Sequence, residues 1–307
     1  MKPVREIDMD TYGYDRILIP TDMSEFGKLA IQYGVLFQER LGTALTLLYA
    51  DEFYFPVDLL EAPAGYYLET APASKLKLQE RLRDYINAQV PLGAEAVVMQ
   101  DAPARAIVQT AKDSRADLII MGTHGRHGIR RAVLGSVTEA VLHDSNVPLL
   151  TVTPNLMKPD TEPLITKILC PVNFTRVARE SLQHACVLAQ AFNAELSIIY
   201  VAESIGEPHL PEIENAFVQW VDPHVRDRCS YRQIVTLHDD APARVLDIAD
   251  ESGADLLVIG AQHRRFSDAT VIGTTTERLT RFARCPVLTV VRQAVVEESL
   301  EEKLVTA

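Results

Sequence analysis

A chain of 307 residues with 47% hydrophobic residues is long enough to bury the cores of about two domains of ordinary size. Its formal net charge of -12 at pH 7 argues against a protein that coats DNA or RNA, because such proteins need clustered positive charge. Residues 1–15 hold no apolar signal segment, and no apolar run approaches the roughly 18 residues of a membrane helix. We therefore expect a cytoplasmic protein that does not insert into membranes.

Short apolar runs alternate with helical patterns in the first half of the chain, which is typical of β-α-β units around a parallel sheet. Strands are predicted at residues 16–21, 44–50, 94–100, 117–121 and 149–153. Apolar residues at helical spacing predict helices at residues 25–39 and 76–90. Residues 53–72 contain prolines and tyrosines and are predicted to form a loop, either packed on the surface or closing over a ligand.

The most informative segment is residues 121–137, which reads MGTHGRHGIRRAVLGSV and follows a buried strand pattern. Two residues separate Gly122 from Gly125, nine more lead to Gly135, and Ser136 follows at the start of a predicted helix. Glycine lets backbone amides approach an anion closely. Ser136 is expected to cap the helix, whose dipole also favours negative charge. The segment therefore predicts a phosphate-binding loop at the carboxyl end of a parallel strand, where open α/β sheets bind ligands.

The spacing of this segment differs from two common nucleotide-binding loops. Neither the G-x-G-x-x-G pattern of NAD-binding domains nor the G-x-x-x-x-G-K-[ST] pattern of P-loop proteins occurs in it. His124 is interpreted as a ligand-loop residue, because no nucleophile or orienting carboxylate is evident beside it. Positive charge next to this loop suits a triphosphate, and it comes from Arg126, His127, Arg130 and Arg131. For Arg130 and Arg131, a solvated basic turn is an equally good interpretation.

The two halves of the chain repeat each other. Residues 101–105 (DAPAR) recur unchanged as residues 240–244, and residues 116–122 (ADLIIMG) correspond to residues 254–260 (ADLLVIG). More residues separate the first matched block from the later ones in the first copy than in the second. The first copy therefore carries an insertion, within residues 51–75. The repeat predicts a first domain at residues 1–154, a linker at 155–166, a second domain at 167–292 and an acidic tail at 293–307.

The four cysteines all lie in the second half of the chain, at Cys170, Cys186, Cys229 and Cys285. No C-x-x-C pair or repeated spacing occurs, so we expect buried, reduced thiols and assign no metal. A zinc site would have to be assembled by folding from Cys229 with His224 or His238, and the spacing does not require one.

These features together resemble the universal stress protein family in its tandem two-domain form, over nearly the whole chain. The resemblance rests on the family pattern G-x2-G-x9-G-[ST] at residues 122–136, on PTD at residues 20–22, and on the repeat. It implies two tandem five-stranded parallel-sheet α/β domains of the Rossmann-like, nucleotide alpha-hydrolase type, with strand order 3-2-1-4-5, packed as a pseudo-dimer. It also implies that the last strands of the two halves, residues 149–153 and 286–291, pair with each other.

The resemblance further implies that ATP, with or without Mg, or a related adenine nucleotide binds at the carboxyl edge of the first sheet. Pro20, Thr21 and Asp22 would line the base and ribose, while Ala50 and Met121 would offer backbone groups to the adenine. The other residues expected in the site, mostly around the phosphates, are Gly122, His124, Gly125, Arg126, Gly128, Gly135, Ser136, Val137 and Thr138.

The second copy departs from the family pattern at three positions, with Asn173 in place of the aspartate, His263 in place of the second glycine and Phe266 in place of a later glycine. A side chain at position 263 would occupy the space in which backbone approaches phosphate. We therefore expect the second domain to bind ATP weakly or not at all and to complete the pseudo-dimer. The alternative is a different ligand, held by the cluster at residues 263–265.

The favoured function is a stress-response sensor or scaffold that binds ATP and hydrolyses it slowly at most, because no catalytic constellation is evident. One alternative is an adenylate-transferring enzyme of related architecture, but TDMS at residues 21–24 differs from the loops of such enzymes. Another is a nucleotide-independent interaction module, against which the complete motif of the first half argues. Unidentified protein partners and a homodimer are compatible with all three.

Overall fold

The structure is a computed structural model, and it describes residues 13–52, 64–123, 134–153, 162–202, 210–266, 269–271 and 273–293. The strands of its first half are β1 (Arg16–Pro20), β2 (Ala44–Ala50), β3 (Glu95–Met99), β4 (Leu118–Gly122) and β5 (Leu149–Val152). The helices of the first half are α1 (Glu25–Leu41), α2 (Ala64–Gln89), α3 (Pro103–Asp113) and α4 (Ser136–Asp144). The predicted strands of this half are therefore confirmed, with small differences at their ends.

Helix α2 begins well before the predicted residue 76. The loop prediction is therefore wrong for residues 64–72, while residues 53–63 lie outside the described part of the chain. The loop prediction rested on the prolines and tyrosines of the segment, and Pro72 lies inside the helix. A proline inside a helix removes one backbone hydrogen bond, and good helix formers such as the alanine, leucine and glutamate of this segment sustain the helix around it.

The second half contains the same kinds of element. Its strands are β6 (Lys167–Pro171), β7 (Glu195–Ala202), β8 (Tyr231–Leu237), β9 (Leu256–Phe266), β10 (Ala269–Val271) and β11 (Val287–Gln293). Its helices are α5 (Arg176–Phe192), α6 (Leu210–Trp220), α7 (Pro223–Arg228), α8 (Ala241–Ser252) and α9 (Thr274–Phe282).

The strands form one sheet in the order β3-β2-β1-β4-β5-β11-β9-β6-β7-β8, with β10 paired to β9. Neighbours within each half are parallel, apart from the short antiparallel strand β10. Counting strands within each half and leaving out β10, both halves have the predicted order 3-2-1-4-5. The chain is therefore an α/β protein with two copies of one parallel-sheet topology.

The two halves meet through their last strands, β5 and β11, as predicted. These strands are antiparallel, with Leu150 opposite Leu288, and the Thr151 hydroxyl donates to the Val287 carbonyl at 3.2 Å. Because the pair is antiparallel, the carboxyl ends of the parallel strands lie at opposite edges of the continuous sheet in the two halves. A ligand at one carboxyl edge is therefore remote from the corresponding edge of the other half.

Equivalent hydrogen bonds confirm that the second half repeats the first. Asp117 Oδ2 accepts hydrogen bonds from the backbone amides of residues 15 and 16, at 2.9 Å each. Asp255 Oδ2 accepts the corresponding bonds from residues 166 and 167, at 2.9 and 3.0 Å. In each half this aspartate fixes the start of the first strand against the start of the fourth. The predicted limits of the two domains, the linker and the tail stay predictions.

One face of the sheet is covered by a core that is shared between the two halves. At its centre, the Tyr14 hydroxyl and His184 Nδ1 are hydrogen-bonded at 2.7 Å, and both side chains are buried. Tyr14 also contacts the edge of Phe37, whose ring lies 5.1 Å from that of Phe192 on α5. Burial lowers the pKa of His184 to about 4, so this imidazole is neutral at pH 7. The opposite face of the sheet has a separate core in each half.

Candidate functional site

The carboxyl ends of β1, β2 and β4 lie together in the first half, at an edge that we call the first-half edge. Thr21 is held there because its amide donates to the Leu48 carbonyl at 2.9 Å. The Asp51 amide donates to the Met99 carbonyl at 2.7 Å, and the Thr123 amide donates to the Val152 carbonyl at 2.9 Å. These bonds extend the parallel pairing one residue beyond the end of each strand, so the predicted residues of all three strands share this edge.

A compact turn connects β1 to α1 at this edge. Thr21 Oγ1 accepts from the Met23 amide at 3.0 Å, and Asp22 Oδ1 accepts from the Ser24 amide and hydroxyl at 2.9 and 2.6 Å. Ser24 in turn caps α1, since its Oγ accepts from the Gly27 amide at 3.4 Å. Two of the predicted ligand residues, Thr21 and Asp22, therefore also fix the turn that places them.

Met23, within this turn, has a φ of 56°, a left-handed conformation that is uncommon for a residue other than glycine. Phe174, at the same place in the second half, has a φ of 61°. The surrounding hydrogen bonds impose this conformation, so no glycine marks it in the sequence. Sequence reasoning therefore missed it in both copies.

Gly27, on the first turn of α1, is a further residue that sequence reasoning missed. A Cβ at this position would lie 3.1 Å from Thr21 Oγ1 and 3.3 Å from Asp22 Oδ1, which is tighter than most Cβ contacts. The bare glycine therefore lets the helix lie against the end of β1. A glycine three residues after the helix-capping serine was the available sequence signal.

Strands β2 and β4 place the residues predicted to face the adenine. Ala50 ends β2 and is half-buried opposite Met99 of β3. Met121 is buried opposite Thr151 of β5, and half-buried Gly122 ends β4. Pro20, the half-buried last residue of β1, pairs with Leu48 of β2. The strand ends thus lie in the order β2, β1, β4 along one edge.

The start of α4 faces the end of β4. The Gly135 amide donates to the Thr123 carbonyl at 2.8 Å, and the buried Thr138 hydroxyl donates to the Gly122 carbonyl at 2.9 Å. Ser136 is exposed and Val137 is half-buried. These bonds anchor the first turn of α4 beside the last residue of β4.

The prediction that Ser136 caps α4 is wrong. Gly135 holds the N-cap position, Ser136 is the first helical residue, and no side-chain cap is found in the described chain. A serine inside the helix cannot accept from the first-turn amides in the geometry of a cap. The first-turn amides of α4 therefore have no capping side chain, and an uncapped helix start of this kind suits an anion.

The remaining predicted site residues lie outside the described part of the chain. They are His124, Gly125, Arg126 and Gly128, together with the neighbouring basic residues His127, Arg130 and Arg131. Their positions in the site stay predictions.

The second half keeps the turn but has a different chemistry at its own carboxyl edge, the second-half edge. Asn173 Oδ1 accepts from the Thr175 hydroxyl at 2.7 Å, as Asp22 does from Ser24. An amide oxygen therefore forms the same turn as a carboxylate. Arg278, on α9, forms a bidentate ion pair with Asp240, in which its two terminal nitrogens donate to the two carboxylate oxygens at 2.9 and 2.8 Å. This pair lowers the pKa of the Asp240 carboxyl. The charge of this arginine is thus balanced within the protein.

The backbone after Gly260 also differs from the backbone after Gly122 in the first half. Strand β9 continues past Gly260 and pairs with β11 as far as His263 and Gln293, and Phe266 then pairs with Ala269 of β10 in a hairpin. In the first half, by contrast, β4 ends at Gly122. The residues predicted to form a basic ligand cluster, 263–265, therefore lie in a strand.

Gly260 has a packing role of its own. A Cβ there would lie 2.8 Å from the Val177 carbonyl oxygen and 3.2 Å from the Ala178 amide, within the backbone of α5. The retained glycine of the second half thus allows a helix to contact a strand closely, whether or not a ligand binds.

Neither a metal-binding cluster nor a membrane-spanning helix occurs in the described residues. No group of three or more His, Cys, Asp or Glu side chains with the arrangement of a metal site is found in them. None of their helices has the length and apolar character that crossing a membrane requires. His238, one of the residues considered for zinc, instead hydrogen-bonds through Nδ1 with the backbone of Asp240 at 2.9 and 3.0 Å.

Known proteins are similar to this chain in sequence and in fold. A universal stress protein of Mycobacterium tuberculosis is 32% identical over 134 residues, which are 44% of this chain and 44% of that protein. The match therefore spans less than half the length of this relative. A universal stress protein of Methanocaldococcus jannaschii is 31% identical over 153 residues, covering 45% of this chain and 94% of that protein.

The fold matches the crystal structure of a universal stress protein from Archaeoglobus fulgidus, with a TM-score of 0.68 over 91% of this chain and 99% of that chain. The sequence identity is 20%, so this likeness concerns the fold alone. The sequence model of the Universal stress protein family matches residues 13–153 and 230–291. The matched ranges take in parts of both halves and most of the chain, and the chain therefore belongs to the universal stress protein family.

Proposed function

We propose that the first half binds an adenine nucleotide, ATP with or without magnesium, at the first-half edge, and that the chain acts as a cytoplasmic stress-response sensor or scaffold. The observation that carries this proposal is the uncapped start of α4, anchored beside the end of β4. Thr21 and Asp22 lie at the same edge, at the end of β1. These two features of one edge support a site that takes a phosphate together with a nucleoside.

The start of α4 supports the phosphate part of the proposal. Backbone amides at a helix start carry partial positive charge and lack partners inside the helix, so they bind anions. Arg126, Arg130 and Arg131 precede this helix in the sequence and add charge to an acidic protein. We propose that Gly122, Gly125, Gly135, Ser136 and Val137 surround the phosphates.

The end of β1 supports the nucleoside part. Asp22 uses Oδ1 for the turn to Ser24, which fixes the direction of its carboxylate. A fixed carboxylate is a suitable acceptor for ribose hydroxyls. Ala50 and Met121 lie on the neighbouring strands, where their backbone groups would face an adenine.

We propose that the second half binds nucleotide weakly or not at all and serves as a structural partner. Three observations support this: β9 continues as a strand through residues 261–266, Asn173 stands where the first half has Asp22, and Asp240 balances the charge of Arg278. A sensor or scaffold role is preferred to fast catalysis, because we assign no general base or nucleophile at the first-half edge.

Replacing Ser136 by alanine tests the phosphate position. The Ser136 hydroxyl is exposed and does not cap α4, so we expect the free energy of unfolding to change by less than about 0.5 kcal/mol. Loss of one hydrogen bond to a charged phosphate should weaken ATP binding about tenfold. Calorimetric titration of the nucleotide-stripped chain with Mg-ATP measures the affinity, and urea unfolding measures the stability.

Thr274→Ala is the matched control for this experiment. Thr274 is the exposed first residue of α9, whose N-cap is Gly273, and it therefore corresponds to Ser136. We expect this variant to bind ATP with unchanged affinity. Equal weakening by the two substitutions, or no weakening by Ser136→Ala, would contradict the placement of phosphate at α4.

A further inference from the structure

Helix α4 contacts both the first-half edge and the second half of the chain. At its start, the Gly135 amide and the Thr138 hydroxyl donate to the carbonyls at the end of β4, at 2.8 and 2.9 Å. Cα atoms of α4 also lie within 8 Å of Cα atoms of β10, a strand of the second half. The helix has nine residues and is therefore only about 13 Å long. One short helix thus connects the first-half edge to the second half.

The antiparallel pairing of β5 and β11 brings β10 to α4. Helix α4 begins beside the carboxyl end of β4 and ends at Asp144, shortly before β5 begins at Leu149. Its last turn therefore lies on the side of the sheet where β5 begins. Because β11 is antiparallel to β5, this is also the side on which β11 and its parallel neighbour β9 end. Strand β9 continues there as far as Phe266, which pairs with Ala269 of β10.

The strand that carries β10 is longer than its counterpart in the first half. Strand β9 has 11 residues, whereas β4 has five and ends at Gly122. The added residues, 261–266, include both His263 and Phe266, at which the second copy departs from the glycine pattern. The same departures that count against a nucleotide site in the second half therefore accompany a strand pair that reaches the first half.

Neither α4 nor β10 is expected to be stable by itself. Isolated helices shorter than about 12 residues are marginal in water, and α4 also starts without a side-chain cap in the described chain. Strand β10 has three residues and pairs with β9 outside the main strand order, and a two-stranded ribbon is likewise marginal. Each element therefore depends on its neighbours for order, so a change in one of them affects the other.

We propose that α4 couples nucleotide binding at the first-half edge to the order of β10 in the second half. This inference rests on the proposed function, which places phosphate at the start of α4. A phosphate bound to the first-turn amides stabilises the helical state of α4, because only the helix aligns these amides. A more ordered α4 gives β10 a fixed surface to pack against. Coupling of this kind is reciprocal, so an ordered β10 raises the affinity for the nucleotide by the same factor.

This coupling gives the second half a role that requires no nucleotide of its own. Strand β10 follows β9 beyond the carboxyl end of the second-half sheet, and α9 begins shortly after β10, with Gly273 as its N-cap. Nucleotide bound in the first half therefore changes the order of the backbone at the second-half edge. The second-half edge, remote from the bound nucleotide, thus reports whether the first-half site is occupied.

Hydrogen exchange of the full chain, measured by mass spectrometry with and without Mg-ATP, tests the coupling. With Mg-ATP, we expect slower exchange in the first turn of α4, and exchange at least about fivefold slower in β10, which is the lower end of usual coupling strengths. Strand β8 ends the sheet order on the far side and should exchange at an unchanged rate. Protection of α4 with no change in β10 would overturn the coupling and leave the nucleotide site intact. No protection of α4 and no ATP binding would overturn the proposed function together with this inference.

Val271→Pro tests the coupling in the reverse direction. Val271 of β10 pairs with Arg264 of β9, and a proline there removes a backbone donor and is disfavoured within paired strands. The variant should therefore loosen β10. We expect its calorimetric affinity for Mg-ATP to be about fivefold lower or more. Wild-type affinity in a Val271→Pro protein with native circular dichroism would overturn the coupling. The wild-type exchange experiment decides the outcome if this variant does not fold.

Thr274→Pro is the matched control, since it places a proline three residues further along the same connection. Thr274 is the first residue of α9, a position that suits proline. Gly273 before it has φ −62° and ψ 141°, the extended conformation that a following proline favours. We expect Thr274→Pro to bind Mg-ATP with wild-type affinity. Equal weakening by the two prolines would show that the effect does not come from β10.

Discussion

Replacing Gly260 by alanine is expected to lower the free energy of unfolding by about 3 kcal/mol, near the upper end of the usual cost of overpacking a core. The new Cβ would lie 2.8 Å from the Val177 carbonyl oxygen and 2.9 Å from its carbonyl carbon. Both atoms belong to the backbone of α5, which cannot rotate away as a side chain can. Helix α5 is buried along much of its length, so its displacement would disturb the core shared by the two halves. Urea unfolding followed by circular dichroism measures the change.

Gly273→Ala is the matched control for this substitution. A Cβ at Gly273 would meet nothing within 4 Å, and the residue is the N-cap of α9. We expect a cost within about 1 kcal/mol, which is the effect of replacing an N-cap residue. A loss below about 1 kcal/mol for Gly260→Ala would show that α5 moves freely away from β9. The close contact would then not be the reason for this glycine.

The stability of the chain is expected to fall between about pH 6.5 and pH 4 because of His184. Burial lowers the pKa of His184 to about 4 in the folded chain, from 6.5 for an ordinary histidine. In this pH range the unfolded chain binds a proton that the folded chain excludes, so acid favours unfolding. The contribution of neutral His184 to the free energy of unfolding is fully present above pH 6.5 and is lost as the pH falls towards 4. Its full size is about 3 kcal/mol.

Urea unfolding at a series of pH values between 7 and 4 measures this dependence, and two variants separate its causes. His184→Gln removes the titrating group, so it should flatten this part of the profile. Tyr14→Phe removes the hydrogen bond to His184 and should cost about 1 kcal/mol at pH 7. Because burial is what lowers the pKa, Tyr14→Phe should keep the pH slope. An unchanged slope in His184→Gln would contradict the assignment.

The periodic parts of the fold could be predicted from the sequence. Strands such as β1 and β4 are short apolar runs, and their burial on both faces gives them a pattern that helices do not share. The repeat of whole sequence blocks predicted a second copy of the topology, and the pairing of β5 with β11 followed from the family resemblance.

Features that depend on contacts between distant residues could not be predicted. The hydrogen bond between Tyr14 and His184 joins residues 170 positions apart, and no periodic pattern indicates it. The hairpin of β9 and β10 could not be predicted either, because pairing with β11 extends β9 and strand pairing is a tertiary effect. Ser136 was taken as a cap since local preference cannot fix a helix start to one residue.

Part of the candidate site lies in the described chain, and there the sequence predicted which strand ends meet at the first-half edge. Pro20, Thr21 and Asp22 lie at the same edge as Gly122 because parallel strands end together. The contribution of Gly27 was missed, because this glycine is required by the close approach of α1 to the end of β1. The distance between these two elements is set by packing, and the spacing of the motif does not indicate it.

Calorimetric titration of the nucleotide-stripped full chain with Mg-ATP tests the central proposal most directly, because it gives the stoichiometry together with the affinity. We expect one site per chain, since the proposed phosphate site lies at the first-half edge and the second-half edge is altered at Asn173 and beyond Gly260. Two sites per chain would contradict the proposed difference between the halves. No binding would contradict the proposed nucleotide site itself.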